Sequence, residues 1–362
     1  MKETSRNIIY CAPYYDPAIP SGANRRVVEL CKRFDSQFGE AFELIVAKGK
    51  RPAGLPRAIV HEIDYAPKSM LSRLRARRQI EKILGSHSPA TFVNEFLPIP
   101  FRSLRKHLHF QVVYDLRYFT DNQALRHRMM HSLPQKHQWA RSQHLVACSE
   151  FTKVELVKLC GCRPEEILIS YFAIDEKLLE PPERKPEKDI DILFVGHFEK
   201  RKNHVNLLKA LAMVDRRLRL ELIGVDNGLK AEVEMLARQL GLSHAHLFTL
   251  NDDKKLWEYY RRARLFVFPS NYEGFGIPLI ESLALGTPVA CSDIPVFREI
   301  GGRFVDYFNQ NDPEHMASVI SEALAHPRIP TGNEIREFLR FYLWDAIYEK
   351  FVRDLIAFSA RP

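Results

Sequence analysis

Short apolar runs alternate with longer amphipathic segments along most of this chain. Runs rich in β-branched and aromatic residues and bounded by turn residues predict strands, and the amphipathic segments between them suit helices. The predicted strands are at 7–15, 42–47, 58–64, 90–95, 111–116, 144–148, 166–171, 190–196, 218–223, 245–250, 265–268 and 288–292. Such alternation is typical of parallel, doubly wound sheets, whose ligands gather at the carboxyl ends of the strands. The predicted fold class is α/β.

One charged segment interrupts this alternation. Residues 180–189 hold three prolines and seven charged residues, a composition typical of a linker. We therefore predict two Rossmann-like domains, 1–180 and 190–344, joined by a linker at 181–189. The last segment, 333–358, is predicted to be helical.

Composition places the chain among globular proteins. Of its 362 residues, 46% are hydrophobic and 27% are charged, and no run approaches the ~18 consecutive apolar residues of a membrane-spanning helix. The first residues lack the apolar core of a secretion signal, so we expect a cytoplasmic protein. Its six cysteines are scattered and are most simply reduced thiols. Cys160 and Cys162 lack the Cys-x-x-Cys spacing, and we predict no metal site.

The net charge is +8, from 53 basic and 45 acidic residues, which favours an anionic partner. The basic residues concentrate at 70–84, 102–109 and 125–144. A basic amphipathic helix at 70–84 fits an anionic membrane surface, where each Lys or Arg contributes ~1 kcal/mol. It fits equally well a surface helix that buries one apolar stripe. Nucleic-acid binding would explain the charge but none of the motifs below, so we predict no nucleic-acid partner.

One stretch, 265–281, carries the clearest chemical pattern. A buried strand leads through residues 273–276 (Glu-Gly-Phe-Gly) into a helix whose first turn holds Pro278, where no N–H partner is needed. Glycine and the free N–H groups of a helix N-terminus suit a phosphate. Glu273 and Glu281 would be repelled by a phosphate, so neutral hydroxyl groups are their natural partners. A nucleotide-sugar fits this pattern, and so does a plain strand–turn–helix unit with two surface glutamates.

This stretch, continued through 286–292 (Gly-Thr-Pro-Val-Ala-Cys-Ser), resembles the E-x7-E signature region of retaining GT-B glycosyltransferases of family 4, the glycosyl transferases group 1. The resemblance implies that Glu273 meets hydroxyls of the donor sugar and that Glu281 meets the ribose. It also implies contacts with the sugar and diphosphate from Gly274, Phe275, Gly276 and Ile277. For the fold, it implies two Rossmann-like domains facing across a cleft, with a C-terminal helix, about 345–362, returning to the first domain.

Two further turns with glycine resemble elements of the same family. Arg201 and Lys202 follow a predicted strand and form a cationic patch, which suits a phosphate as well as a charged surface loop. The segment resembles the family's Val-Gly-x-x-x-x-(Arg)-Lys element, which implies that Lys202 meets the donor diphosphate and that Gly196 and His197 line the donor site. Gly22, between the first strand and the first helix, resembles the glycine loop where donor phosphate and acceptor meet.

Three places depart from the family pattern. Tyr114 stands where related enzymes often carry a histidine near the donor sugar, and a phenol would not carry charge near neutral pH. Residues 171–175 (Tyr-Phe-Ala-Ile-Asp) replace the usual Pro-Asn-Gly-Val-Asp, and His197 replaces a frequent arginine. These departures leave open a GT-B-shaped binding subunit that has lost activity. A nucleotide-sugar epimerase of the same architecture, which would consume donor without acceptor, is the other alternative.

The resemblance implies transfer of a hexosyl unit, with retention at the anomeric carbon, to an acceptor hydroxyl. Glu273, Arg201 and Lys202 would be catalytic through positioning and charge stabilisation. Because no Asp-x-Asp motif lies at a suitable place, we expect a metal-independent enzyme without a cofactor. Such loops are common among bacterial mannosyl- and rhamnosyltransferases of surface-polysaccharide biosynthesis, which favours mannose. The expected partners are a GDP-, UDP- or dTDP-linked donor and a glycan or polyprenyl-diphosphate-linked acceptor, met in the cytoplasm or at the inner face of the plasma membrane.

Overall fold

The computed structural model describes residues 7–19, 21–67, 69–95, 106–120, 136, 138–140, 142–181, 184, 186–329 and 332–359. The chain divides into two compact units, Met1–Phe172 with Trp344–Pro362, and Ala173–Leu343. Each unit is built on one parallel β-sheet with helices between its strands, so the predicted α/β class is confirmed. Across the described residues, no helix combines the length and the apolar character that crossing a bilayer requires. Much of the basic segments at 102–109 and 125–144 lies outside the described residues.

Within the described residues, the first unit contains seven strands and, from the first half of the chain, four helices. The strands are β1 (Ile8–Cys11), β2 (Phe42–Ala47), β3 (Ile59–Ile63), β4 (Thr91–Asn94), β5 (Leu108–Val113), β6 (His144–Ala147) and β7 (Ile167–Ile169). The helices are α1 (Gly22–Phe38), α2 (Met70–Ser86), α3 (Arg117–Thr120) and α4 (Glu150–Cys160). The strands pair in parallel in the order β3-β2-β1-β4-β5-β6-β7, which makes β3 an edge strand.

Local sequence explains where these helices begin. Ser21 caps α1, because its side-chain oxygen accepts a hydrogen bond from the backbone N–H of Asn24 at 3.2 Å. The buried stripe of α1 contains Val27, Leu30, Cys31 and Phe34. Ser149 caps α4 in the same way, at 3.0 Å from the backbone N–H of Thr152. Ser149 and Glu150, which follow β6, therefore form the capped start of this helix.

The described part of the second unit contains six strands and seven helices. The strands are β8 (Ile190–Val195), β9 (Leu220–Ile223), β10 (Ala245–Phe248), β11 (Ala263–Phe268), β12 (Val289–Ser292) and β13 (Asp306–Phe308). The helices are α5 (His204–Val214), α6 (Lys230–Gln239), α7 (Asp253–Arg262), α8 (Ile277–Ala284), α9 (Pro295–Gly301), α10 (Pro313–Ala325) and α11 (Asn333–Arg340). The sheet order is β10-β9-β8-β11-β12-β13. The strand order reverses between β8 and β11, and in such sheets this switch point is where ligands bind.

The last helix, α12 (Trp344–Ser359), belongs to the first unit. Its buried residues include Ile347, Phe351 and Leu355. Tyr348 on this helix donates a hydrogen bond to Gln37 of α1 at 2.6 Å. Along the sequence, the chain therefore returns to the first unit after it has passed through the second.

The division between the units lies before the predicted linker. The backbone N–H of Ile174 donates to the carbonyl of Tyr342 at 2.8 Å, which holds residues after Phe172 on the second unit. The end of the predicted linker is also fixed there, because Asp189 pairs with Arg262 at 2.5 Å. Charge and proline content alone do not show these contacts.

Candidate functional site

The loop between β11 and α8 is shaped by two backbone requirements. Gly276 has a φ of 121°, and a Cβ at this position would lie only 2.9 Å from Cε1 of Phe297. Glycine is therefore required by both conformation and space. Pro278 lies in the first turn of α8, as the sequence predicts. This strand–loop–helix junction lies at the switch point of the second sheet.

Glu273, on this loop, contacts both predicted cations. Its Oε1 accepts a hydrogen bond from Nζ of Lys202 at 2.5 Å, and its Oε2 lies 2.7 Å from Nη1 of Arg201. Burial raises the pKa of Glu273, but the charges of Lys202 and Arg201 outweigh this effect and lower the pKa to about 2. The carboxylate is thus held ionised between the two cations, although hydroxyl groups are the partners that the sequence suggests.

Arg201 connects this loop to the turn after β8. Its Nη2 lies 2.6 Å from Oε1 of Glu199, and its Nη1 donates to the carbonyl of Tyr272 at 3.1 Å. In return, the backbone N–H of Asn271 donates to the carbonyl of Arg201 at 2.8 Å. The two loops are therefore joined by side-chain and backbone contacts. Glu199 is a member of this network that sequence reasoning missed.

Lys202 is buried beside the aromatic end of β11. Its Nζ lies 4.9 Å from the ring centroid of Phe268, and burial lowers its pKa while the charge of Glu273 acts in the opposite direction. Gly196 leaves room for the side chain, because a Cβ there would approach Cε of Lys202 at 3.3 Å. The glycine after β8 therefore serves the packing of the lysine as well as any contact with a ligand.

Glu281 lies inside α8 and is 3% exposed. The hydroxyl of Tyr260, a fully buried residue, donates to its Oε2 at 3.4 Å. Since Glu273 is also buried, the alternative of two surface glutamates does not describe this site. Burial of both carboxylates indicates that each is held for specific polar partners.

The remaining predicted positions of the second unit surround the same junction. Phe275 is buried, and its ring meets that of Tyr342 edge-on at 6.0 Å between centroids. Gly274 belongs to the loop, and Ile277 is the first residue of α8. His197, after β8, has its Nδ1 3.1 Å from the side-chain amide nitrogen, Nδ2, of Asn227. The structure thus brings the predicted residues of the second unit to one edge of its sheet.

In the first unit, Gly22 is the first residue of α1, directly after the cap Ser21. Tyr114 lies elsewhere in that unit, within a buried polar network. Its hydroxyl and that of Tyr10 both donate to the carboxylate of Glu95. Burial and the negative charge of Glu95 hold the pKa of Tyr114 well above its usual range, so it is a neutral donor. The phenol is therefore engaged by a neighbouring carboxylate.

Arg26 completes this network and was not singled out from the sequence. Its Nε lies 3.4 Å from Oε1 of Glu95, and its Nη2 donates to the hydroxyl of Ser170 at 2.9 Å. A signal was available, because Arg26 precedes Leu30 and Phe34 at four-residue intervals and so shares the buried stripe of α1. An arginine on such a stripe indicates a buried anionic partner.

Part of the chain matches the model of a known protein family. Residues 175–338 match the family model described as Glycosyl transferases group 1. This range lies within the second unit and contains Arg201, Lys202, Glu273 and Glu281. The resemblance on which the sequence reasoning relied is confirmed.

Two curated relatives match this chain at moderate identity. The O-antigen chain mannosyltransferase RfbU of Salmonella typhimurium is 31% identical over 193 residues, covering 50% of each chain. A Campylobacter jejuni protein, N-acetylgalactosamine-N,N'-diacetylbacillosaminyl-diphospho-undecaprenol 4-alpha-N-acetylgalactosaminyltransferase, is 36% identical over 144 residues, covering 38% of each chain. The chain therefore spans about half, or less, of the length of these relatives.

Solved structures are similar over nearly the whole chain. Sucrose-phosphate synthase from Thermosynechococcus elongatus gives a TM-score of 0.80 at 18% identity and covers 97% of this chain and 99% of its own. WaaG, a glycosyltransferase involved in lipopolysaccharide biosynthesis, gives a TM-score of 0.74 at 15% identity and covers 98% of this chain and 100% of its own. At such identities the similarity concerns the fold. Residues 175–338 of the second unit are thus similar to the glycosyl transferases group 1 family, and the chain has the GT-B fold.

Proposed function

We propose that this chain is a retaining glycosyltransferase that moves a hexosyl unit, with mannose as the first choice, from a nucleotide-sugar to a glycan hydroxyl. The donor would carry GDP, UDP or dTDP, and the acceptor would be a glycan, free or linked to a polyprenyl diphosphate, in surface-polysaccharide biosynthesis. The names of the relatives support this, since one is an O-antigen mannosyltransferase and the other's name includes a diphospho-undecaprenol-linked sugar. The observation that carries the proposal is the contact of Glu273 with both Arg201 and Lys202 beside the first turn of α8.

The charges of the site suit a ligand that contains a diphosphate. Arg201 and Lys202 supply two positive charges, which Glu199 and Glu273 balance at 2.5–2.7 Å. A diphosphate beside these cations would form charge-assisted hydrogen bonds, worth ~1.5–3 kcal/mol each. The N-terminal end of α8 adds partial positive charge at the same junction. Cations and helix end together favour the anionic part of a nucleotide-sugar.

In the proposed reaction the bond between the anomeric carbon and the leaving diphosphate oxygen breaks. The bond from the acceptor oxygen forms on the same face of the sugar, and the leaving diphosphate takes the acceptor proton. Arg201 and Lys202 stabilise the negative charge that develops on the leaving group. Before the donor binds, Glu273 keeps the two cations in position, because each of its oxygens contacts one of them.

We also propose that α2 contacts an anionic membrane, which would place the protein at the inner face of the plasma membrane. One side of α2 is buried through Ala76, Ile80 and Leu84. Two leucines elsewhere on the helix are exposed, Leu71 at 70% and Leu74 at 47%. They lie among arginines at positions 73, 75, 77 and 78. Exposed apolar side chains beside basic ones are what an interfacial helix needs.

Incubation of the purified chain with nucleotide-sugars tests the proposed activity. GDP-mannose, UDP-sugars and dTDP-sugars are supplied alone and with a polyprenyl-diphosphate-linked oligosaccharide. We expect nucleoside diphosphate and a product heavier by one hexose only when the acceptor is present, with the donor's anomeric configuration kept in the NMR spectrum. An epimerase would change the donor without acceptor, and a binding subunit would retain donor without releasing diphosphate. Failure to retain or use any nucleotide-sugar would contradict the proposal.

A matched pair of variants connects the activity to the site. Arg201→Gln removes a cation that contacts Glu273, and it should lower turnover by roughly tenfold or more, the equivalent of ~1.4 kcal/mol or more of transition-state stabilisation. Arg264→Gln removes an arginine of the same unit whose Nη1 pairs with Asp191 at 2.7 Å on an exposed surface. The control should turn over donor like the wild type. Equal losses in both variants would indicate damage to the fold rather than to the site.

A further inference from the structure

Glu43, His61 and His87 bring their ligand atoms together in the first unit. Nε2 of His61 lies 2.7 Å, and Nε2 of His87 lies 2.9 Å, from the same Glu43 oxygen, Oε2. The three ligand atoms lie within 4.8 Å of one another. The cluster is in the first unit, whereas the candidate donor site is in the second. It is therefore a separate feature.

The fold supplies these side chains from three elements. Glu43 is in β2, His61 is in the neighbouring edge strand β3, and His87 follows the last residue of α2. In the parallel register His61 stands opposite Ile45, two residues after Glu43, so both side chains lie on one face of the sheet. The Glu43 side chain is 3% exposed, while the two imidazoles keep 27% and 21% of their surface. A buried carboxylate thus lies beneath two rings that solvent can reach.

Hydrogen bonding fixes the orientation of the His87 ring. Its Nδ1 lies 2.6 Å from the carbonyl oxygen of Ile83, and because a carbonyl only accepts, Nδ1 carries a proton. In a neutral imidazole, Nε2 then carries a lone pair, which faces the lone pairs of the Glu43 carboxylate. A positive charge makes this arrangement favourable, either as a second proton on His87 or as a metal cation. A histidine whose other N–H is held by a carbonyl is the usual form of a metal ligand.

We propose that Glu43, His61 and His87 form a site for one divalent transition-metal cation, with Zn²⁺ as the best match. Two imidazole nitrogens and one carboxylate oxygen are ligands that Zn²⁺ accepts, and three protein ligands leave a fourth position for water. Zinc bonds of ~2.0–2.2 Å in a tetrahedral site separate the ligand atoms by roughly 3.4 Å. To bind the ion, each imidazole Nε2 would therefore have to move about 0.5–0.7 Å away from Oε2 of Glu43. The ion would connect the edge strand β3 to the end of α2 and stabilise the folded unit.

Metal titration of the full chain tests this site. The protein is stripped with a chelator, Zn²⁺ is titrated by calorimetry, and Co²⁺ is followed through its visible d–d absorption. We expect one cation per chain, d–d bands of tetrahedral intensity, and an unfolding temperature that rises with added Zn²⁺. His61→Ala and His87→Ala each remove one ligand and should weaken Zn²⁺ binding roughly tenfold or more.

A similar pair in the second unit supplies the matched control. His246 of β10 has its Nδ1 3.1 Å from Oε1 of the buried Glu221 in the neighbouring strand β9. Within the described residues, this pair is not part of a group of three potential ligands. His246→Ala should therefore bind Zn²⁺ like the wild type. His87→Gln, which keeps an N–H donor for the carbonyl of Ile83, replaces His87→Ala if the latter does not fold.

Several results would overturn the proposal. One is a wild-type chain that binds no stoichiometric Zn²⁺ or Co²⁺, which would mean that Glu43 and the two histidines contact one another without a metal ion. Another is unchanged affinity in folded His61→Ala and His87→Gln. Loss of binding in His246→Ala would place the cation elsewhere. Circular dichroism of each variant in chelator establishes that it is folded before its affinity is compared.

Discussion

Replacing Glu273 by glutamine keeps the size of the side chain and removes the charge that pairs with Arg201 and Lys202. Burial raises the pKa of Glu273, but the two cations outweigh it and lower the pKa from 4.5 to about 2. At ~1.4 kcal/mol for each pH unit, this difference corresponds to about 3 kcal/mol of unfolding free energy at neutral pH. The size agrees with the ~3–5 kcal/mol that removal of one partner of a buried ion pair costs.

The pH dependence gives the prediction its sign. A carboxyl group whose pKa is lower in the folded protein stabilises the fold above its unfolded pKa of 4.5. That stabilisation is lost as the pH falls towards about 2, and roughly half or less of it remains at pH 3. Glutamine cannot ionise, so Glu273→Gln lacks the stabilisation at every pH. The difference in unfolding free energy between wild type and variant should therefore shrink on acidification.

Urea unfolding of both proteins between pH 7 and pH 3 measures this difference. Glu334→Gln is the matched control, because Glu334 lies 2.9 Å from Arg303 while both side chains are more than 70% exposed. A surface pair of this kind contributes ~0–1 kcal/mol, so the control should unfold close to the wild type. A Glu273→Gln difference that does not change with pH, or that equals the control, would refute the assigned ion pairs.

The same variant separates binding from turnover. Without Glu273, Arg201 and Lys202 lose the carboxylate that they share, so the site becomes more positive and affinity for a nucleoside diphosphate should be kept or increased. Turnover should fall, because the cations lose the carboxylate that positions them before the donor binds, and the donor sugar then lacks a charged acceptor for its hydroxyls. Calorimetry with nucleoside diphosphate and the transfer assay measure the two effects. Loss of affinity together with turnover would contradict this division of roles.

Further predictions concern the loop glycine, metal dependence and the membrane. Gly276→Ala should lower the unfolding free energy, measured in urea, by ~1–3 kcal/mol, because Gly276 has a φ of 121° and the added Cβ would collide with Phe297. Gly286→Ala should lower it less, because Gly286 has a φ of 74° but open space around it. Equal losses of unfolding free energy would refute the steric argument. Donor binding should survive excess chelator, even under conditions that remove Zn²⁺ from the Glu43 cluster, and strict dependence on added Mg²⁺ or Mn²⁺ would contradict the proposed chemistry. Binding to anionic vesicles should fall steeply as the salt concentration rises. It should be abolished when Arg73, Arg77 and Arg78 are changed to glutamate in a chain that still folds. Vesicle binding that changes with neither the salt nor the substitutions would favour a soluble acceptor.

Local pattern was sufficient for the described strands other than β13 and for the loop before α8. The apolar run that ends at Phe268, the glycine at 276 and the proline at 278 each impose a backbone state on their own neighbourhood, and the structure contains all three where the sequence predicts them. The short strand β13 (Asp306–Phe308) was missed because three residues carry too little periodicity to be recognised. Prediction is reliable where the determining contacts are local.

Contacts between distant residues could not be predicted in this way. Glu273 and Lys202 are 71 positions apart, and their contact depends on β8 and β11 being neighbours in the sheet. The pairing of Arg26 with Glu95 likewise depends on the fold that brings α1 to the end of β4. Resemblance to a family singled out Glu273, Arg201 and Lys202 as candidate site residues, but it did not indicate that they contact one another. Their charge balance follows only from tertiary structure.

The charge balance between Glu273 and the two cations connects two roles of this side chain, the sugar contact implied by the sequence and the ion pairs found in the structure. Two cations beside a buried strand end need an anion, and Glu273 supplies it with one oxygen for each. A diphosphate that reached Arg201 and Lys202 would supply the same charge and would repel the carboxylate. We therefore expect donor binding to loosen the contacts of Glu273 with the cations and to leave its oxygens available for neutral sugar hydroxyls. The ion pairs of the structure and the sugar contact implied by the sequence are then successive states of one side chain.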